Sequence, residues 1–249
     1  MAAVERAAAL LGTLAAEGEL GTNELARRAG LHPSSVSRLL ATLADSGLVQ
    51  QEAETGRYRL GLRLIELGNA VLARLDLREV ARPQLRALVE ETRETVTLSA
   101  PGDPDAITVD FVLSPSSVQG VARVGRPSVA HATATGKVAL AFGEVQLPPG
   151  RLRAFTGRTI ADRAALTREI ERVREQGWAQ AVGEREDDLN AVAAPVHGSR
   201  GELAAVVGIQ GPASRFDQEG MARALEPLLT RAGAVSHALG WRPTAKEGP

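Results

Sequence analysis

Within its first 60 residues the chain carries three short helical patterns, each closed by a glycine, and then two alternating runs. A segment this short can bury its apolar residues only by packing the helices on one another with a hairpin against them. Residues 4–17 place Val4, Ala7, Ala8, Leu11, Leu14 and Ala15 on one helical face. Gly18 and Gly21 bracket a turn, and Thr22 is expected to cap a helix from Asn23 to Ala29, with Glu24 near its positive end. Gly30 ends that helix. A third helix is expected from Pro33 to about Ser46, since proline suits a helix start, and Gly47 closes it. Glu54-Thr55-Gly56 predicts a hairpin turn between Leu48–Glu52 and Arg57–Leu60.

This is the element order of a winged helix-turn-helix, with Gly30 in the short turn between the second and third helices. In the third helix Val36, Leu39, Leu40 and Leu43 form the buried stripe. The opposite face carries Ser34, Ser35, Ser37, Arg38, Ala41 and Thr42, which are hydroxyls, a small residue and one arginine, with no acid. Such a face can lie close in a major groove and reach phosphates and base edges. Arg27 and Arg28 end the second helix and can clamp the DNA backbone. In the hairpin, Arg57 and Arg59 share one strand face and are expected to point outward to phosphates, while Tyr58 and Leu60 pack inward. The bland alternative is a three-helix bundle with surface arginines that meets another protein.

Charge at first argues against nucleic acid, because 29 basic side chains face 30 acidic ones over 249 residues. The average hides a local excess: residues 20–65 hold six arginines against four acids. Seven aromatic residues leave no stacking platform for single strands. The absence of cysteine excludes a disulfide scaffold and zinc fingers, and fits a reducing cytoplasm. No apolar run reaches the roughly 20 residues of a membrane span, and no signal peptide follows Met1. No membrane partner is expected.

Helical pattern continues over 62–75 and Arg78–Thr92. Strands are then expected at Thr95–Ala100, Ala106–Leu113 and Val118–Val124, and a helix at Thr133–Phe142. A Pro148-Pro149-Gly150 loop follows, then a helix at Arg163–Gln176, strands at Trp178–Val182, Ala191–His197 and Leu203–Gly211, and a last helix at Gln218–Leu239. The fold class is α+β.

The segments Leu25–Leu31, Ser35–Leu43, Gly47-Leu48-Val49 and Glu54–Gly61 resemble the IclR-type bacterial transcription regulators. So do Val124-Gly125-Arg126, His131–Lys137, Phe155-Thr156 with Thr159-Ile160, Arg174–Trp178, Ala193–Val196 and Gly211–Phe216. The resemblance spans about residues 4–240. It implies a winged helix-turn-helix over 1–61, a linker helix over 62–76, and over 77–242 a GAF-like effector-binding domain with an antiparallel sheet and flanking helices. It also implies a cytoplasmic repressor-type regulator that is a homodimer through its N-terminal units and can pair into a tetramer through its effector domains. Its partners would be a palindromic or pseudo-palindromic double-stranded operator and a small metabolite.

The residues themselves offer one ligand site. His131 to Lys137 leads into a helix that Thr133 or Thr135 can cap, and free N–H groups at a helix start suit a carboxylate. The plain alternative is an ordinary capped helix with Gly136 for close packing. The resemblance favours a pocket, with Ala134 and Thr135 at positions where relatives contact effector. It adds Ala181, Leu189–Ala191 and Gly208–Gln210 to the lining. Relatives often carry Asp-Asp-Glu-Glu where this chain has Ala181-Val182-Gly183-Glu184, so no relative's ligand transfers directly. His131 can meet a ligand or orient the loop, and Gln210 can do both jobs of donor and acceptor or sit exposed. Lys137 can pair with an acid across the sheet or sit at the surface. The Glu184–Asp188 acidic run reads as a solvated loop over the pocket rather than as a metal or acid–base cluster.

No cofactor or metal is expected, since His32, His131, His197 and His237 show no metal-ligand spacing with an acid. An enzyme is the main alternative class, but the sequence has no Gly-x-Ser-x-Gly nucleophile elbow and no Walker-type phosphate loop. A DNA-architectural or protein-interaction module without a ligand is the third class.

Overall fold

The computed structural model describes residues 2–73, 77–102, 105–117, 122–144, 147 and 150–242. The chain divides into two compact units, Met1–Leu75 and Asp76–Pro249.

The first unit holds α1 (Ala2–Glu17), α2 (Thr22–Ala29), α3 (Pro33–Asp45), β1 (Val49–Gln51), β2 (Tyr58–Leu60) and α4 (Arg63–Ala73). Its core joins Leu10 and Leu14 of α1 to Leu25, Val36, Leu40, Leu43 and Val49, all buried. The buried face of α1 is therefore turned from the one expected. Leu10 supplies far more apolar area than the alanines and takes the inner position, while Val4 is 75% exposed and Ala8 and Ala15 face outward. Thr22 is not the cap of α2. Gly21 stands before the first turn, and its amide donates to Glu24 Oε2 at 2.9 Å.

β1 and β2 pair antiparallel with Val49 opposite Leu60 and Gln51 opposite Tyr58. Leu20 adds a third pairing, exchanging backbone hydrogen bonds with Tyr58 at 2.8 and 3.0 Å. Tyr58 packs on the core, but Leu60 is 36% exposed and does not pack inward as expected. β2 ends at that residue, and Val49 opposite it already fills the space. Gly61 then passes so close to α3's end that a Cβ there would stand 2.1 Å from the Gly47 carbonyl oxygen, and its amide donates to Leu48 O.

The second unit holds α5 (Leu77–Thr92), β3 (Thr95–Ala100), β4 (Ala106–Val112), β5 (Pro127–Ser128), α6 (Ala134–Phe142), α7 (Arg163–Gln176), β6 (Ala179–Val182), β7 (Leu189–His197), β8 (Leu203–Pro212) and α8 (Gln218–Ala238). The strands form one antiparallel sheet in the order β5-β4-β3-β8-β7-β6. α5 and α8 pack on each other and on one face, while α6 and α7 pack together, with α6 lying on β6, β7 and β8. The period of two along a strand sorts side chains between the faces. In β3, Val96 and Leu98 alternate with Thr95, Thr97 and Ser99, so that one face is apolar and the other is lined with hydroxyls.

Residues 118–121 of the expected Val118–Val124 strand, and Pro148-Pro149, lie outside the described residues. Residues 122–126 form a turn in which Gly125 takes the left-handed region at φ 81°, and the edge strand is the shorter β5.

Candidate functional site

In the first unit α3 presents its polar face outward, as its 3.6-residue period requires. Ser34, Ser37, Arg38, Ala41 and Thr42 are exposed and Ser35 is half-buried, above Val36, Leu40 and Leu43. His32 precedes the helix and caps it. Its Nδ1 accepts the Ser34 amide at 3.4 Å and lies 2.8 Å from Ser34 Oγ, so the first hydroxyl of the face is held in place. Nothing in the reading of the sequence singled out His32, because its role depends on the extended backbone before Pro33. Arg38 makes no ion pair among the described residues.

Arg27 is exposed and makes no ion pair among the described residues, whereas Arg28, Arg57 and Arg59 are engaged. Arg28 pairs with Glu17 at 2.8 Å, and Arg59 lies 3.5 Å from Glu52 and 3.7 Å from Glu19. Arg57 does not project from the wing as expected. It folds back to place Nη2 2.7 Å from Glu24 Oε2 and 2.9 Å from the Glu19 carbonyl oxygen. The Gly21 amide, with Arg57 and Arg27 nearby, holds the Glu24 carboxyl below its ordinary range. Arg57 is a latch between the hairpin and the α1–α2 turn.

In the second unit a cavity of about 60 Å³ lies over the hydroxyl-lined face of the sheet, at the start of α6. Thr97, Thr108 and Gln210 rise from the strands, with Ala181, Leu189 and Ala191 beside them. These join because Ala181 pairs with Ala191 and Ala191 with Gln210 across β6, β7 and β8. Thr133, Ala134 and Thr135 bring the N-terminus of α6 to the cavity, with Thr133 Oγ1 capping the Gly136 amide at 3.0 Å. Arg126, Glu184, Arg185 and Glu186 close it.

Five expected ligand residues do not line this cavity, among them Asn190, which donates to the Phe216 carbonyl oxygen, and the buried Ile209. His131 Nε2 lies 2.8 Å from the Arg153 carbonyl oxygen and its ring meets Phe155, so it anchors the 153–155 segment. Gly136 serves close packing, since a Cβ there would stand 2.4 Å from the Val129 carbonyl oxygen. Gly208 lies beneath the wall, where a Cβ would meet Thr97 Oγ1 at 3.0 Å and Thr135 Oγ1 at 3.1 Å.

Lys137 is buried to 1% exposure one turn below the cap. Its Nζ lies 2.6 Å from Glu184 Oε1, 3.5 Å from Glu169 Oε1 and 2.9 Å from the Gln180 carbonyl oxygen. Burial raises the Glu184 carboxyl above its ordinary value, against the pull of Lys137. The acidic run thus divides. Glu184 is a buried wall residue, Glu186 pairs with Arg126 at the cavity, and only Asp187 and Asp188 are exposed. Thr156 and Thr159 hold the same loop from outside through the carbonyl oxygens of Gly183 and Glu184.

Two family models cover the chain between them. One, described as the IclR helix-turn-helix domain, matches residues 3–53. The other, described as bacterial transcriptional regulator IclR C-terminal, matches residues 69–237. The chain belongs to the IclR family of bacterial transcriptional regulators. It is 33% identical to the transcriptional regulator KdgR of Escherichia coli over 237 residues, which are 93% of this chain and 90% of that protein. It is 35% identical to the glycerol operon regulatory protein of Streptomyces griseus, over 95% of this chain and 96% of that one. A crystal structure of an IclR regulator from Silicibacter sp. TM1040 superposes with a TM-score of 0.86 at 25% identity, covering 99% of this chain and all of the other. IclR proteins are DNA-binding regulators and not enzymes, so the polar groups around the cavity need no catalytic reading. Among the described residues no helix is long and apolar enough to cross a membrane.

Arg126, Arg185 and Glu184 were not assigned to the lining from the sequence. For Lys137, of the two alternatives the sequence left open, the structure has the pairing with an acid and not the surface position.

Proposed function

We propose that this IclR regulator binds a palindromic or pseudo-palindromic operator sequence-specifically and is controlled by a small carboxylate metabolite held in the cavity at the start of α6. The observation that carries the ligand reading is the joint presence there of the α6 N-terminus and two guanidinium groups, Arg126 and Arg185. Helix N-termini and arginines attract carboxylates for the same electrostatic reason. α3 enters the major groove through Ser34, Ser35, Ser37, Arg38 and Thr42, with Arg27, Arg28 and Arg59 on the flanking phosphates. The protein acts as a homodimer, and the linker that begins with α4 carries ligand state to the spacing of the two reading heads. The ligand shifts that spacing only by its difference in affinity for the two states.

The test joins two measurements on the full chain. Footprinting upstream of its own gene finds the operator, and a thermal-shift screen of small acids finds the ligand. Thr135→Leu is expected to abolish the acid's effect on operator affinity while operator binding persists. An effect that survives Thr135→Leu places the ligand elsewhere, and an acid that binds without changing operator affinity removes the regulatory role.

A further inference from the structure

We propose that the cavity selects small hydroxy acids over the corresponding plain acids, and that Glu184 is the selecting residue. This rests on the reading of the cavity as the effector site and adds what the ligand must carry besides its carboxylate.

The lining of the cavity carries groups of opposite charge. Arg126 and Arg185 are its cations. Arg126 is neutralised by Glu186, but Arg185 makes no ion pair among the described residues. Its Nη1 donates to the Pro127 carbonyl oxygen at 2.7 Å. Burial and the neighbouring Arg126 disfavour its charge more than Glu186 and Asp105 favour it, so an incoming anion adds to the compensation these acids supply. The ligand's carboxylate belongs beside this guanidinium group.

Glu184 lines the same cavity with its side chain 9% exposed. Lys137 takes Oε1, while Oε2 is buried and has no hydrogen-bond partner among the described residues. The Val182 amide lies near the carboxyl but outside hydrogen-bond geometry. A buried acceptor left unmet is costly, and a ligand that donates to it recovers that cost. A second carboxylate beside Glu184 would be repelled. The ligand therefore points its acid at Arg185 and a hydroxyl at Glu184. The size agrees with a small molecule. At about 10–15 Å³ per water in the same measure, the roughly 60 Å³ has room for about five waters or as many ligand heavy atoms.

The residue acts as a filter because the difference between ligands falls on a buried polar group. A site built to receive a hydroxyl rejects the analogue that lacks it more sharply than an apolar pocket discriminates by size. Glu184 is also held rigidly, by Lys137 from within and by Thr156 and Thr159 on its loop.

The experiment is calorimetric titration of the full chain with matched pairs: glycolate against acetate, lactate against propionate, 3-hydroxybutyrate against butyrate. Each pair is repeated with Thr135→Leu and with Ala191→Leu, which fill the cavity from different elements. The expected result is that the best hydroxy acid binds at least tenfold tighter than its partner, about 1.4 kcal/mol, and that both blocking variants lose it. Glu184→Gln is expected to narrow the preference to under threefold, and the pair comparison in the unaltered protein stands even if that variant folds poorly. Equal or tighter binding of the plain acids, still lost in the blocking variants, overturns the hydroxyl requirement and leaves the effector site intact. Binding that the blocking variants do not disturb, or no binding by any pair, overturns both.

Discussion

Glu24 Oε2 lies 2.7 Å from Arg57 Nη2 and 2.9 Å from the Gly21 amide, so one carboxylate ties the wing to the first turn of the second helix. Both side chains are about two-fifths exposed, so water and salt screen the pair. Its effect is on position more than on stability. The tie holds Tyr58 against Leu20, and the two exchange the hydrogen bonds that fasten the hairpin to the helices. Arg57→Ala is expected to speed amide exchange at Leu20 and Tyr58 while exchange at Leu40 in α3 keeps its rate. Equal acceleration at all three would mean that the whole unit had loosened and that the latch is not local.

Arg38 gives a sharp contrast, because it stands on the exposed face of α3 without an ion-pair partner among the described residues. Arg38→Ala is expected to weaken operator binding at least tenfold in fluorescence anisotropy and to leave the melting temperature unchanged. A phosphate contact would also lower the slope of log affinity against log salt by about one. Unchanged affinity removes Arg38 from the interface.

Lys137 compensates two buried carboxylates, and removing it leaves Glu184 without its cation and Glu169 with Arg172 alone. Lys137→Met is expected to cost about 3–5 kcal/mol in urea unfolding, the range for breaking a buried ion pair from one side. Adding Glu184→Gln should recover part of that loss, so the double variant is more stable than the sum of the singles. Strict additivity would show that the two residues do not act as a pair.

Glu184 also makes stability depend on pH. Its carboxyl is raised above the ordinary 4.5 chiefly by burial, so the folded state holds the proton more tightly than the unfolded chain. That contribution is fully present below 4.5 and fades as pH climbs through the folded value. In urea melts at successive pH values, the stability of the unaltered protein minus that of Glu184→Gln is expected to fall as pH rises through this window. A difference that stays flat or grows contradicts the sign.

Gly136 is fixed by a close approach to backbone that no side-chain movement can relieve, since a Cβ would meet both Val129 O at 2.4 Å and Ala130 Cα at 2.6 Å. Gly136→Ala is expected to push the 129–132 segment off α6, lowering the unfolding midpoint and abolishing ligand-induced thermal shifts together. A variant that keeps both would show that the segment yields at no cost.

The sequence made periodicity and punctuation readable. α7 begins at Arg163 and ends at Gln176 as expected, because Gly177 stops it and its apolar spacing is regular. The buried face of α3 and the pairing of β1 with β2 were legible for the same reason. Less legible was anything that depends on which charged groups meet. Arg57 alternates with Tyr58 along β2 and reads as an outward residue, yet a long side chain can bend back to the Glu24 carboxylate 33 positions away and the Glu19 carbonyl oxygen 38 away. The cavity was half legible. Thr133, Ala134, Thr135, Ala181, Leu189, Ala191 and Gln210 were named from the motif and the resemblance, whereas Arg126, Arg185 and Glu184 meet only when the loops around the sheet are placed. His131 stayed open between a ligand contact and an anchor for its loop, because a histidine beside such a loop can do either, and its partner at Arg153 decides for the anchor.

The acids that hold Arg28, Arg57 and Arg59 lie on α1, on α2, in the turn between them and in the hairpin turn after β1, not on α3. If Arg28 and Arg59 serve phosphates as proposed, each of their pairs subtracts from the unspecific hold on DNA, because an arginine must leave its acid first. Operator strength can therefore drift through changes such as Glu17→Gln or Glu19→Gln with the reading residues untouched. A lineage can retune how often its promoter is occupied without first losing the ability to recognise it.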